Sequence, residues 1–142
     1  HQNKTCFVPD FAWVSKNDAQ PVKPKTISTE NDGYYSANAC RVPMMLAGCN
    51  DRSAQNTLKR MLKFFSKQNT ITAGYTLKGK PLNKYQSASF SAPIFDAVSF
   101  NRNEGYDDLF ISQQYIFARH LPRNNYYDAA LTTMAALDAD KL

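Results

Sequence analysis

Apolar side chains recur at intervals of three and four residues within residues 52–68, the segment RSAQNTLKRMLKFFSKQ. This spacing places them along one side of an α-helix. Asn50 or Asp51, directly before the segment, can cap the first turn. The residues that form the apolar side are Ala54, Leu58, Met61, Leu62 and Phe65. The segment therefore predicts an amphipathic helix, which must pack against other parts of the chain.

Four further segments favour helices. Residues 39–49, ACRVPMMLAGC, are apolar, with Pro43 where a first turn tolerates it and Gly48 suited to a helix end. Residues 87–100 carry a proline within a helical segment, and residues 104–121 and 125–142 repeat apolar side chains at helical spacing. Lys78 and Gly79 mark a turn in the β-leaning residues 71–80. We therefore predict a mainly α fold of about five helices in antiparallel pairs, with a small β-turn or hairpin.

The composition indicates one globular domain over residues 1–142. The chain has 43% hydrophobic and 13% aromatic residues, enough to bury a core. Residues 1–37 contain three prolines and lack a helical or strand period, so we predict an irregular arm and loop before a helical region over residues 38–142. The sequence begins at His1 without a recognisable signal peptide, which suggests a processed product or a piece of a longer protein.

The charge pattern does not indicate a nucleic-acid or membrane partner. Seventeen Lys and Arg residues against twelve Asp and Glu residues give a net charge of +5. The basic residues are scattered except for Lys59, Arg60, Lys63 and Lys67, which we interpret as a solvated face near the negative end of the 52–68 helix. No apolar run reaches the roughly 18 residues of a membrane span.

The three cysteines do not indicate a metal site. Cys6, Cys40 and Cys49 form no CxxC pair and no Cys/His set at zinc spacing. An odd number cannot all pair within one chain, and the pairing stays open at this point. We expect no metal ion and no cofactor.

Five segments, taken together, resemble a known enzyme family. They read DGYYSANACRVPMMLA (32–47), DRSAQNTLKRMLKFF (51–65), ITAGYTLKGKPL (71–82), SASFSAPIFDA (87–97) and NNYYDAALTTMAAL (124–137). In sequence, order and spacing they resemble the C-terminal part of the family 8 glycoside hydrolases, which include endoglucanases, lichenases and chitosanases. The resemblance implies part of an (α/α)6 barrel and inverting endo-hydrolysis of the β-1,4 bonds of a β-glucan or a chitosan-like polysaccharide. It also implies a polysaccharide or oligosaccharide as the partner and a secreted or periplasmic location.

The resemblance also suggests catalytic residues. Inverting hydrolysis needs a general acid and a general base whose carboxyl groups lie about 6.5 to 9.5 Å apart. Asn38 occupies the position where many family members carry an Asp base, and an amide cannot take the proton. A second branch of the family has Asn there and an upstream Glu as base, which suggests Glu30, although the alignment also permits Ser28. Asp32 is the next candidate.

Each of these residues also has a purely structural interpretation. Glu30 can be a solvated loop carboxylate, and Asp32 precedes Gly33 in a strong turn signal. Arg41 matches the family arginine beside the base, where it would orient a carboxylate and lower its pKa, or it can form a structural ion pair. The family's general acid lies in the N-terminal half of the barrel, which has no counterpart in this sequence.

Aromatic side chains are the expected contacts for sugar rings, because the C–H faces of the sugars pack on them. The candidates for substrate binding are Trp13, Tyr34, Tyr35, Tyr126 and Tyr127. The resemblance places one of the last two near the base, while simple packing at a helix start is the alternative. Apolar faces around Phe95, Phe110 and Phe117 would lack neighbours, so we expect association with the missing half of the barrel or self-association. The alternative function is a non-catalytic helical domain that binds glycan or a protein partner.

Overall fold

The protein is described from a computed structural model that covers residues 3–141. Two short strands come first, β1 (Ala12–Val14) and β2 (Ala19–Pro21). Five α-helices follow: α1 (Val42–Ala47), α2 (Arg52–Phe65), α3 (Ala88–Phe100), α4 (Asp107–Gln113) and α5 (Tyr126–Asp140). Short 3-10 helices span Ala39–Arg41, Arg102–Glu104 and Gln114–Phe117. Within residues 3–141, no helix combines the length and the apolar character that crossing a membrane requires.

Helix α2 forms where its apolar period predicts it. The Asp51 carboxylate accepts a hydrogen bond from the backbone N–H of Ala54 at 2.8 Å, which satisfies one of the unpaired groups of the first turn. Leu58, Met61, Leu62 and Phe65 are all buried. Asp51, rather than Asn50, is therefore the capping residue.

Helix α3 is the centre of the fold. All of residues 89–99 are buried, and helices α1, α4 and α5 all pack against α3. Asp96 is the one charged residue of α3, and the other residues are apolar, small or uncharged. A helix without a charged face suits a position that other helices surround. The predicted arrangement, a succession of antiparallel pairs from an (α/α)6 barrel, is corrected to a cluster of helices around one central helix.

The segment predicted as one helix over residues 104–121 is divided. Helix α4 ends at Gln113 and the chain continues as the 3-10 helix Gln114–Phe117. Phe95 is buried, with its ring 5.0 Å from the Phe110 ring and 4.9 Å from the Phe117 ring. The prediction that Phe95 lies on an exposed face is wrong, because these two rings cover it. Phe117 is 40% exposed, and association through it stays a prediction.

The predicted turn is present, with the backbone N–H of Gly79 donating to the carbonyl of Thr76 at 2.9 Å, but the paired strands lie in another segment. Strands β1 and β2 pair antiparallel within the segment predicted to be irregular, with Trp13 opposite Gln20. Residues 71–80 contain no strand; Tyr75 instead makes isolated bridges to Tyr35 and Pro81. The bridge between Tyr35 and Tyr75 connects residues forty positions apart, which a local sequence pattern does not reveal. The predicted helix over residues 125–142 is present as α5, and residue 142 lies outside the described residues.

Candidate functional site

The loop of residues 36–41, here called the Asn38 loop, is held by a carboxylate from far upstream. Asp10 accepts hydrogen bonds from the backbone N–H groups of Ser36 at 3.0 Å, Asn38 at 3.1 Å and Ala39 at 2.7 Å. Burial raises the pKa of the Asp10 carboxyl, although the three N–H groups act in the opposite direction. Asp10 therefore fixes the loop that leads into α1.

The start of α5 is attached to the same loop. The Tyr127 hydroxyl donates to the carbonyl of Ala37 at 2.5 Å and lies 3.5 Å from Cys40 Sγ. Burial raises the pKa of the Cys40 thiol to about 11, so it stays protonated near neutral pH and is not a thiolate nucleophile. Burial also raises the pKa of Tyr127. Cys6, Cys40 and Cys49 are all unpaired in the described structure.

Asn38, Arg41 and Tyr126 are exposed around this attachment. Arg41 Nε donates to the carbonyl of Asn38 at 3.3 Å, and Tyr126 is 85% exposed. Tyr127, in contrast, is half-buried with its hydroxyl directed at the loop. The structure thus brings Asn38, Arg41 and Tyr127 together, with Tyr126 beside them and open to solvent.

Asp32 is the centre of a tight turn. It is fully buried, and its carboxylate accepts hydrogen bonds from the backbone N–H groups of Ile27 at 2.6 Å, Ser28 at 2.9 Å and Thr29 at 2.9 Å. Burial by itself raises the pKa of the Asp32 carboxyl, but these N–H groups outweigh it and hold the pKa well below its usual range. The geometry matches the turn interpretation, in which Asp32 orders the loop that carries Glu30.

Glu30 and Tyr34 line one groove, here called the Glu30 groove. Its volume is about 600 Å³, and its other lining residues are Gly33, Lys80 and residues 21–24 and 76–78. The chain can close here because Gly33 has no side chain: a Cβ would lie 2.2 Å from the carbonyl oxygen of Val22. Glu30 is exposed, and its carboxylate lies 2.7 Å from Lys25 Nζ.

Tyr35 and Trp13 lie apart from this groove lining. Tyr35 is fully buried, and its ring stacks on Phe7 with 4.5 Å between centroids. A sugar ring cannot reach it without unfolding of the core, which corrects its selection as a binding residue. Trp13 is 65% exposed on strand β1. Its role in binding stays a prediction.

The arrangement offers carboxylates, hydroxyls and an aromatic ring as possible contacts for a ligand. Within residues 3–141, no group of three or more His, Cys, Asp or Glu residues is placed to hold a metal ion. Asp10 is the residue that the sequence did not indicate. It follows Pro9 in a segment without periodicity, and its partners lie 26 to 29 positions away.

Comparison with known proteins places this fold beside β-glucanases. No family model matches the chain. A β-glucanase of Niallia circulans is 28% identical over 103 residues, which are 66% of this chain and 25% of that protein. The solved apo structure of a β-1,3-1,4-glucanase from Paenibacillus sp.X4 superposes with a TM-score of 0.80 at 21% identity, over 98% of this chain and 39% of that one. The chain is similar to part of these β-glucanases.

These findings correct two expectations. The assignment to the family 8 glycoside hydrolases is withdrawn, because no family model matches and the similarity found is to a β-glucanase and a β-1,3-1,4-glucanase. The (α/α)6 barrel is replaced by the fold of part of the solved β-1,3-1,4-glucanase, in which α3 is the central helix here. The general expectation of similarity to glucan-hydrolysing enzymes is confirmed.

Proposed function

We propose that this chain forms part of a glycoside hydrolase that acts on a β-glucan, and that the Glu30 groove binds the polysaccharide. The observation that carries the proposal is the similarity to β-glucanases in both sequence and fold. The chain spans 25% and 39% of the length of these two proteins, so the proposal concerns a part of such an enzyme.

The lining of the Glu30 groove supports polysaccharide binding. Tyr34 is half-buried and lines the groove, so part of its side chain is accessible to a ligand. Residues 21–24 add two prolines and a valine, whose apolar surfaces suit the C–H faces of sugar rings. Lys78 and Lys80 are exposed at the groove and can donate hydrogen bonds to sugar hydroxyls.

Binding of a soluble β-1,3-1,4-glucan tests the proposal. Affinity electrophoresis of the wild-type chain should show retardation by this glucan, and Tyr34→Ala should weaken binding roughly tenfold through loss of the aromatic contact. Tyr85→Ala is the matched control, because Tyr85 is 62% exposed and does not line the groove. Equal weakening of glucan binding by the two substitutions would show that the Glu30 groove is not the binding site.

We propose Glu30 as the general base of hydrolysis. We further propose that the complete enzyme cleaves internal β-1,4 bonds with inversion of the anomeric configuration. The exposed carboxylate of Glu30 lies at the groove, within reach of a water molecule beside a bound polysaccharide, and is 2.7 Å from Lys25 Nζ. Proton NMR of the first products of the complete enzyme would reveal the anomeric configuration. Retention of the configuration would refute this part of the proposal.

A non-catalytic glycan-binding domain is the second candidate. Two observations favour it. The Asp32 carboxylate accepts hydrogen bonds from backbone N–H groups of its own turn, and Glu30 forms an ion pair with Lys25, so both carboxylates have structural partners. Glucan binding with no release of reducing ends by the complete protein would support this candidate. We also propose a secreted or periplasmic location, because a polymeric substrate does not cross membranes; fractionation of the producing cells would test it.

A further inference from the structure

A second concave surface, here called the basic depression, is formed by three separate segments. Its volume is about 490 Å³, and it is lined by Thr5, Phe64 and five cationic residues. Those five are Lys4 from the N-terminal segment, Arg60 and Lys63 from α2, Lys67 from the turn that follows α2, and Lys78 from the turn after Tyr75. The interpretation of the α2 cations as a solvated helix face omits Lys4 and Lys78, which other segments bring to the same place.

Specific contacts hold the three segments in this arrangement. The Thr5 hydroxyl donates to the carbonyl of Leu77 at 2.8 Å, which joins the segment of Lys4 to that of Lys78. Gly79 follows with φ +91°, and a Cβ there would lie 2.5 Å from Phe64 Cε2, so only glycine permits this turn to pack on α2. Arg60 Nη2 also approaches the carbonyls of Asn3 at 3.4 Å and Lys4 at 3.5 Å.

The positive charge of the depression is not balanced locally. No Asp or Glu lines it, and none of the ion pairs found within residues 3–141 involves its five cations. All five side chains are exposed. Like charges that converge on one concave surface repel one another, and an anionic ligand relieves that repulsion and is attracted from a distance.

We propose that the basic depression binds a carboxylated polysaccharide. Arg60 and Lys63 lie about one turn apart on α2, Lys67 follows the C-terminal end of that helix, and Lys4 and Lys78 come from other segments. Cations distributed along the surface in this way suit an extended polyanion better than a single small ion. Within the described residues, Phe64 is the one aromatic residue that lines the depression, and its ring also contacts Phe7, Phe65 and Tyr75, so the surface lacks the series of aromatic rings on which successive nucleic-acid bases stack. The choice of a polysaccharide over a nucleic acid rests on the proposed function, since an enzyme that acts on β-glucan works among polysaccharides.

Binding to polygalacturonate tests this inference. The double variant Arg60→Glu/Lys63→Glu should bind roughly tenfold or more weakly at low salt, with a shallower dependence of the logarithm of affinity on that of salt concentration. The matched control is Lys16→Glu/Lys84→Glu, which changes the net charge equally at two exposed positions outside the depression. The control should bind as the wild type does. Circular dichroism verifies that both variants are folded.

Other outcomes would overturn the inference. An equal loss in the control would show that binding follows net charge alone. Tighter binding of double-stranded DNA than of polygalacturonate at the same salt concentration would assign the surface to nucleic acid. Affinity for the neutral β-1,3-1,4-glucan is measured in parallel and should not change in Arg60→Glu/Lys63→Glu. A wild-type chain that binds this neutral glucan but not polygalacturonate refutes the inference alone, whereas binding of polygalacturonate without binding of neutral glucan refutes the proposed function.

Discussion

Asp96 should make the stability of the protein depend on pH in an unusual direction. It lies on the central helix α3, is 1% exposed, and its Oδ1 atom has no hydrogen-bond partner in the described structure. Burial raises its pKa from 3.8 to about 7, and the neighbouring Asp138 on α5 contributes to the same shift. Asp138 also lies 3.1 Å from Lys141 Nζ. Near neutral pH a proton on Asp96 therefore permits the two carboxyl groups to share a hydrogen bond.

The sign and the magnitude follow from the difference between the folded and unfolded states. Between pH 3.8 and about 7 the folded state binds a proton on Asp96 that the unfolded state releases. The stabilisation is fully present below the unfolded pKa and is lost as pH rises through about 7. A shift of about 3 pH units corresponds to about 4 kcal/mol as an upper bound. Asp138 is partly exposed, so solvent screens its interaction with Asp96, and we expect the actual contribution to lie between about 2 kcal/mol and that upper bound of about 4 kcal/mol.

Substitution of Asp96 by Asn tests this reasoning, because an amide is similar in shape and carries no titrating proton. The free energy of unfolding, measured by urea denaturation at several pH values, should fall by about 2 to 4 kcal/mol between pH 4 and pH 8 in the wild type. In Asp96→Asn the fall should be smaller by most of that amount. Asp140→Asn on α5, the helix that carries Asp138, is the control, since Asp140 is exposed, and it should retain the wild-type dependence. A dependence in Asp96→Asn equal to that of the wild type would refute the assignment.

Three other substitutions test the remaining parts of the structure. Asp10→Ala should lower the free energy of unfolding by about 2 kcal/mol, because three backbone N–H groups lose their acceptor; urea denaturation measures the loss, and an unchanged midpoint would contradict it. Gly79→Ala should cost about 2 kcal/mol or more, because of its positive φ and the approach of a Cβ to Phe64, whereas Gly48→Ala, with open space around it, should stay within about 0.5 kcal/mol. Glu30→Gln should reduce turnover of β-glucan by the complete enzyme by roughly 10². Retention of wild-type turnover would move the role of base to another carboxylate.

Local signals in the sequence determined the helices. The cap at Asp51, the apolar period of residues 52–65 and the place of Pro43 in the first turn of α1 all act between residues a few positions apart. Hydrogen bonds of a helix close over four residues, so such signals are sufficient to predict where helices begin and which face is apolar. The turn signal at Asp32 and Gly33 was equally local, and the structure shows the carboxylate bound to the N–H groups of residues 27–29.

Tertiary structure decided which side chains meet. Tyr34 and Tyr35 are adjacent in the sequence, yet one lines the Glu30 groove and the other stacks on Phe7 in the core. Asp10 reaches the Asn38 loop from 28 positions away, and Lys4 and Lys78 join the cations of α2 from opposite directions along the chain. Neither composition nor periodicity specifies these contacts, because each depends on the packing of distant segments around α3 and α2. The sequence therefore determined the elements and their chemistry, while the packing of those elements determined the groove and the depression.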